Sequence, residues 1–383
     1  MTMISQYSKI KFTILTALSL FLLFTYQTAF AQGQESSKTQ PKQEFYTAKV
    51  LKVIKQGEHQ IQEFKNPYQV LSIQFLDGPD EGKTITFTQG IETSIQPQNL
   101  VKQDDTVIMT KNSDGPDGKM HYVIYDKYRL NQLILLAIIF LIIVILIAGK
   151  KGIGSLLGLS ISLAVILLFI IPHILSGQNP LFVSVLGSII ILLVTTYLAH
   201  GISKQTTVAL ISTFIALMLT VVIAIYFVNF TGLSGLNDET SLLIFGPTST
   251  INLQGLLLAG IIIGTLGALN DITTAQAATI FELAKTDNRL KFRKLFSKGL
   301  KIGNEHIISM VNTLVLAYAG SSLIIFIFIY LNPANVPYWV IINNELLSDE
   351  IVRALAGSIG LLLVVPIVTA IAALVCDKRV GLV

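Results

Sequence analysis

Asn270 and Asp271 close an apolar run that begins at Leu253, and Glu282 stands eleven residues beyond. The stretch reads GALNDITTAQAATIFELAK, residues 267 to 285 without its leading context, with Gly267 first. If the segment is helical, eleven residues are three turns, so the two carboxylates lie nearly on one line. Thr274, Ala275 and Ala278 share that side, and Ile272, Thr279 and Leu283 occupy the other. A carboxylate beside hydrocarbon costs several kcal/mol without a partner, so such groups face a cavity or a cation, and they can exchange protons. The chemistry expected of Asn270, Asp271, Thr274 and Glu282 is therefore that of a path for an ion, a proton or a small polar solute.

A second polar stripe follows. At 100° per residue, His306, Ser309, Asn312, Thr313 and Gly320 fall within about a third of a helix circumference, with Glu305 just before them. Two neighbouring helices with such stripes could line a hydrophilic route. A plainer reading stands beside it. Asp271 would mark the end of its span in water, Glu282 would pair with Lys285, and Asn312 and Thr313 would tie helices together at ~0.6 kcal/mol per bond. Glu350 and Arg353, three residues apart, are either a local ion pair or an outer gate.

The elements that must position these residues are membrane spans. The chain has 383 residues, 52% hydrophobic and 13% charged, with mean hydropathy +0.66. Soluble domains carry about 25% charged residues. The single cysteine, Cys376, excludes an intrachain disulfide. The sequence has no Cys/His cluster, no phosphate-cradling glycine loop and no dinucleotide fingerprint. No cofactor or metal is expected, and no enzymatic activity. Nor is nucleic acid expected as a partner.

Lys9 and Lys11, an apolar core from Phe12 and the Ala29-Phe30-Ala31 pattern give residues 1–31 the form of a signal peptide. A flexible polar linker, 32–43, follows. Residues 44–126 then change to short β-branched segments, Glu44 to Ile54, Tyr68 to Leu76, Lys83 to Gln89, Asp105 to Thr110 and Met120 to Asp126. They predict a small all-β domain, a barrel or sandwich. DGPD at 77 and at 114 reads as hairpin-turn chemistry and lacks calcium-loop spacing. His59 and His121 stand alone.

From residue 127 an α-helical polytopic membrane domain is expected, with about seven transmembrane helices near 131–148, 153–174, 181–200, 207–230, 253–270, 307–331 and 354–376. Lys150, Lys151, Lys204 and the basic run from Lys285 to Lys301 fall on alternate loops, as do Lys378 and Arg379. That asymmetry places the β domain outside and the C-terminus inside a bacterial plasma membrane. Within 286–303, Phe292, Leu295, Phe296 and Leu300 at helical spacing predict an amphipathic helix on the inner leaflet. Gly154/Gly158, Gly260/Gly264 and Ala356/Gly360 are small-xxx-small pairs that allow close helix approach.

Three stretches carry a resemblance: GLLLAGIIIGTLGALNDITTAQAATIFEL from Gly255, IGNEHIISMVNTLVLAYAG from Ile302 and NELLSDEIVRALAGSIGLLLVVP from Asn344. They resemble the YibE/F-like family of bacterial multispanning membrane proteins, and DKYRLNQLILLAIIF from Asp126 fits the same layout. The resemblance implies a multispanning topology and the description of permease, without an established substrate. The family pattern has Arg-Asp after Ile-Gly, whereas this chain has Asn304 and Glu305, which removes a cation from position 304.

The function expected is a permease for a small solute or ion, coupled to protons or cations through Asp271, with Asn270, Thr274, Glu282, His306, Asn312 and Thr313 along the path. The alternative is a non-transporting, membrane-anchored protein whose outer β domain binds a ligand or partner. Partners are the lipid bilayer, a small solute or ion, and further copies of the chain in a homo-oligomer.

Overall fold

The computed structural model describes residues 44–61, 64–91, 95, 97–112, 121–236, 251–332 and 335–377. The expected signal peptide and linker, the turn at 114–117 and the basic residues at 378 and 379 lie outside them. The described residues fall into two compact units, divided between Ile143 and Val144.

The first unit is an antiparallel sheet of β1 (Phe45–Ile61), β2 (Phe64–Phe75), β3 (Thr84–Gln89), β4 (Thr106–Asn112) and β5 (His121–Lys127), in the order β3-β2-β1-β4-β5. Strands 4-1-2-3 in space make a Greek key. The sheet curls so that the Tyr122 hydroxyl on β5 donates to Asp80 in the β2–β3 turn, and the Tyr122 ring packs 4.6 Å from Phe75. Val50, Leu71, Ile73, Phe75, Val107 and Met109 fill the interior. The DGPD turn at 77 works as its chemistry predicts. Asp77 accepts from the Thr47 amide at 2.6 Å and the Thr47 hydroxyl at 2.9 Å, and Gly78 takes φ 83°, where a Cβ would strike the Tyr46 ring.

β1 and β2 run longer than their apolar patterns. Their polar ends, from Gln56 to Ile61 and from Phe64 to Tyr68, pair only with each other, since β3 joins β2 from Gln69 onward. Pro67 sits in that stretch, where β2 is an edge and its missing N–H costs no ladder bond.

The helical unit begins within α1 (Leu130–Val165), whose backbone leaves the helix at Gly149 (φ 56°, ψ −135°). A π-helical turn, Ile166–Ile170, leads into α2 (Ile171–Leu175). α3 (Pro180–His200), α4 (Lys204–Thr231), α5 (Leu253–Thr286), α6 (Phe292–Ser321), α7 (Leu323–Leu331), α8 (Tyr338–Ile342) and α9 (Glu345–Asp377) follow. Their starts are legible locally. Asn179 caps α3 with Pro180 at the first turn, Ser203 caps α4 and Asn252 caps α5, each accepting from backbone amides of the first turn. α5 is the hub, packed against α3, α4, α6 and α9.

Among the described residues, five helical stretches are long and apolar enough to cross a membrane, or six with the bent pair α6–α7 taken as one. The expected spans meet two irregularities. Leu130–Leu175 is one apolar stretch of 46 residues, long enough for two spans of about 20 residues, and its backbone breaks at Gly149, between the two expected there. Lys150 and Lys151 follow its one non-helical residue, Gly149. The expected span at 307–331 is not straight, because it bends by 66° between α6 and α7 at Ser322.

The amphipathic segment expected at 286–303 also differs. It is no separate surface helix, since α6 starts at Phe292 and runs unbroken through the polar stripe to Ser321. Its apolar face docks on protein: Leu295 is buried with Ile280, Phe281, Ala372 and Cys376, and Phe292 packs against the same cluster.

Candidate functional site

α5 is continuous from Leu253 to Thr286, so the helical premise for Asp271 and Glu282 holds, with the two about 16 Å apart along the axis. Hydroxyls along it bond back to their own backbone. Thr274 donates to the carbonyls of Asn270 and Asp271 at 2.9 and 3.0 Å. Such back-bonding leaves a hydroxyl satisfied inside an apolar bundle.

Asn270 and Asp271 line a cavity of about 320 Å³ between the second half of α1, α3 and α5. Its polar lining comes from Ser155, Ser162, Thr195, His200, Asn270 and Asp271, and the rest is apolar, with Ile166, Leu192 and Leu266 among it. Gly158 faces Thr195, 3.5 Å from where a Cβ would be, an ordinary packing distance. On the same α1 face, Gly154 sits against the Leu198 carbonyl. This small-xxx-small pair therefore joins α1 to α3 beside the cavity.

The polar groups divide into held and unheld. Asn270 is oriented, since its side-chain oxygen accepts from the Thr196 hydroxyl at 2.9 Å. Ser162 and Thr195 donate back to Gly158 and Ile191. The Asp271 carboxylate is exposed to the cavity, and His200, the last residue of α3, is the ionisable neighbour that acts on it. The cavity thus offers one oriented amide, one free carboxylate and one imidazole in an apolar frame.

The remaining candidates lie elsewhere. Glu282 is exposed and pairs with Lys285 at 3.0 Å, as the plainer reading expects. His306, Asn312 and Thr313 do share one face of α6, but that face is exposed; Gly299, Gly303, Ile307 and Leu314 on the other face meet the bundle. Thr313 donates back to Ser309 at 2.9 Å. The two polar stripes therefore do not face one another, because the small residues of α6, and not its polar ones, make the close contact with α5 and α9. Glu350 and Arg353 form an ion pair at 3.1 Å with side chains only 19% and 26% exposed, at the start of α9.

Sequence reasoning missed His200, Ser155, Thr195 and Asp349. His200 was visible as the polar residue ending an apolar run before Gly201, yet nothing in the chain pairs it with Asp271 across seventy residues. Asp349 sits between Ser348 and Glu350 in a polar stretch, where its burial to 2% has no sequence signal. Among the described residues, no group of three or more His, Cys, Asp or Glu is placed to hold a metal ion.

The family model described as YibE/F-like protein matches residues 136–378, well over half of the chain. No curated protein and no solved structure matches it. The chain belongs to the YibE/F-like family.

Proposed function

We propose that this YibE/F-like chain is a permease of the bacterial plasma membrane that passes a proton or a small cation, alone or with a small solute, by way of the Asp271 cavity. The observation that carries the reading is Asp271 itself, an ionisable group midway along α5, facing a cavity together with His200 and the oriented amide of Asn270. In a bilayer a charged side chain at a helix centre costs about 2.5–3.5 kcal/mol, and those that persist mark ion and proton pathways. The lysine and arginine asymmetry supports a β unit outside and a C-terminus inside.

The test uses sealed liposomes holding a pH-sensitive dye. Internal pH and charge movement are followed after pH and cation jumps, for wild type and Asp271→Asn, both shown to be monodisperse. Flux in the wild type that is lost in the variant supports the reading. Equal flux in both, or none in either, removes Asp271 from any transport role.

A second reading keeps one observation of its own. In the β unit, Lys102, Asp104, Asp105, Lys127, Arg129 and Asn131 line a polar groove of about 370 Å³. Such a groove suits a small charged ligand, and the helices would then serve as an anchor. This reading expects Lys127→Ala to abolish binding of that ligand while Asp271→Asn leaves it unchanged.

A further inference from the structure

α9 opens with four ionisable residues, and three of them have structural partners. Glu345 accepts from the backbone amide and hydroxyl of Ser234 and from the amide of Gly235, closing the turn after α4. Glu350 and Arg353 pair with each other at 3.1 Å. Among the described residues, Asp349 has no hydrogen-bond or ion-pair partner. The residue is 2% exposed, and neither carboxylate oxygen has a hydrogen-bond partner.

Other unmet groups lie along the same part of the bundle. One oxygen of Glu350, the Nε of Arg353 and the hydroxyl of Tyr318 on α6 are also buried without a hydrogen-bond partner. Tyr318 lies within the field of Glu350 and Arg353, and Asp349 within that of Glu345, Glu350 and Arg353. Among the described residues, the elements packed against this end of α9 bring no further charge. The facing part of α4 supplies Ala224 and Val228, and α5 supplies Leu257, Leu258 and Ile261. Gly264 of α5 is where the Tyr318 hydroxyl rests, 2.5 Å from an added Cβ. The cluster thus abuts α5 about two turns, roughly 10 Å, from Asp271.

Formal charges on Asp349 and Glu350 against Arg353 leave one negative charge in excess, and it falls on the residue without a hydrogen bond. A buried carboxylate in that position must be neutralised. Among the described residues no lysine or histidine is placed to do it, and Arg353 is already engaged by Glu350.

We propose that Asp349 is a proton-binding site, holding its proton as a neutral carboxylic acid beside the Glu350–Arg353 pair. The site is separate from the Asp271 cavity and does not depend on the permease reading. In its neutral form Asp349 no longer buries an uncompensated charge, and it gains an O–H donor.

Infrared spectroscopy of the full chain in lipid nanodiscs tests this directly. Spectra are taken near neutral pH and at alkaline pH, with unlabelled protein and with protein carrying carbon-13 aspartate. The expected result is a protonated-carboxyl stretch near neutral pH that shifts on aspartate labelling, persists in Asp271→Asn and is missing from Asp349→Asn. If Asp349→Asn does not fold, Asp349→Glu takes its place, and the stretch should then no longer respond to aspartate labelling. Absence of the stretch in the wild type, its survival in Asp349→Asn, or continued response to aspartate labelling in Asp349→Glu overturns the proposal. None of these outcomes depends on whether the protein transports anything.

Discussion

Alanine at Gly267 and alanine at Gly360 should move stability in opposite directions. Both glycines lie inside long apolar helices without a positive φ. At Gly267 an added Cβ meets nothing within 4 Å, because the position is part of the open cavity wall. Alanine there recovers helix propensity of about 1 kcal/mol with no clash. At Gly360 the added Cβ falls 2.1 Å from the Thr220 hydroxyl oxygen and 3.1 Å from its Cβ. Thr220 cannot swing away freely, since it is fully buried, β-branched and bonded to the Ala216 carbonyl at 2.8 Å. α9 and α4 must separate instead, and overpacking of that kind costs about 1–3 kcal/mol, against which the same propensity gain offsets about 1. The two variants should therefore differ by roughly 1–3 kcal/mol, which is about 2–12 °C in Tm for a unit of this size. Thermal unfolding of both variants beside the wild type in one detergent measures it. If Gly267→Ala melts below the wild type, the α5 face is packed and the cavity is not open. If Gly360→Ala melts above it, the close approach of α9 to α4 is wrong.

Three further outcomes follow from particular contacts. Gln276 donates to the Gly299 carbonyl and to the Thr369 hydroxyl, both at 2.8 Å, joining α5 to α6 and α9, so Gln276→Leu should cost about 1–2 kcal/mol in the same melt; an unchanged Tm would mean the amide contributes nothing net. Glu282→Gln should shift stability by no more than about 0.5 kcal/mol, because its pair with Lys285 is exposed, and a larger loss would place Glu282 in a buried contact. Burial and the bond to Asp80 push the Tyr122 hydroxyl up to about 12, against about 10 for a free tyrosine. A raised folded-state value means that its contribution to the β unit is whole below about pH 10 and lost as pH rises through 12. Tyrosinate absorbance should therefore lose its latest-titrating component in Tyr122→Phe, and an unchanged titration curve would refute the assignment.

Periodicity and turn chemistry made much of the architecture legible. Short β-branched runs marked five strands, because that signal acts within a few residues. Polar strand ends were not legible. Residues 56–61 pair with 64–69 through backbone bonds that any side chain permits, so composition did not show them. The bend at Ser322 falls on Gly320-Ser321-Ser322, a Gly/Ser cluster of the kind that kinks helices, which a hydropathy average over 307–331 smooths away. Glycine pairs show the same limit. Gly154/Gly158 and Ala356/Gly360 make the close contacts that their spacing allows, whereas in Gly260/Gly264 one member faces open space and the other receives the Tyr318 hydroxyl.

The candidate site was legible only as an inventory of polar residues, because a sequence displays polar groups without showing which are satisfied. α5 carries Thr265, Asn270, Thr273, Thr274, Gln276 and Asp271 toward its neighbours. Thr265, Thr273 and Thr274 bond back to their own helix, Asn270 is held by Thr196, and Gln276 by Gly299 and Thr369. Those residues are accounted for as structure, since a satisfied buried polar group fixes helix contacts and requires no further purpose. Asp271 is the member of this series that no hydroxyl or amide of a neighbouring helix holds, and it is the one that opens on a cavity. On α9 the same sorting leaves Asp349 after Glu345, Glu350 and Arg353 have found partners. Function is best sought at such remainders, because packing alone would remove an unmet charge from an apolar bundle by the simplest substitution, aspartate to asparagine or leucine.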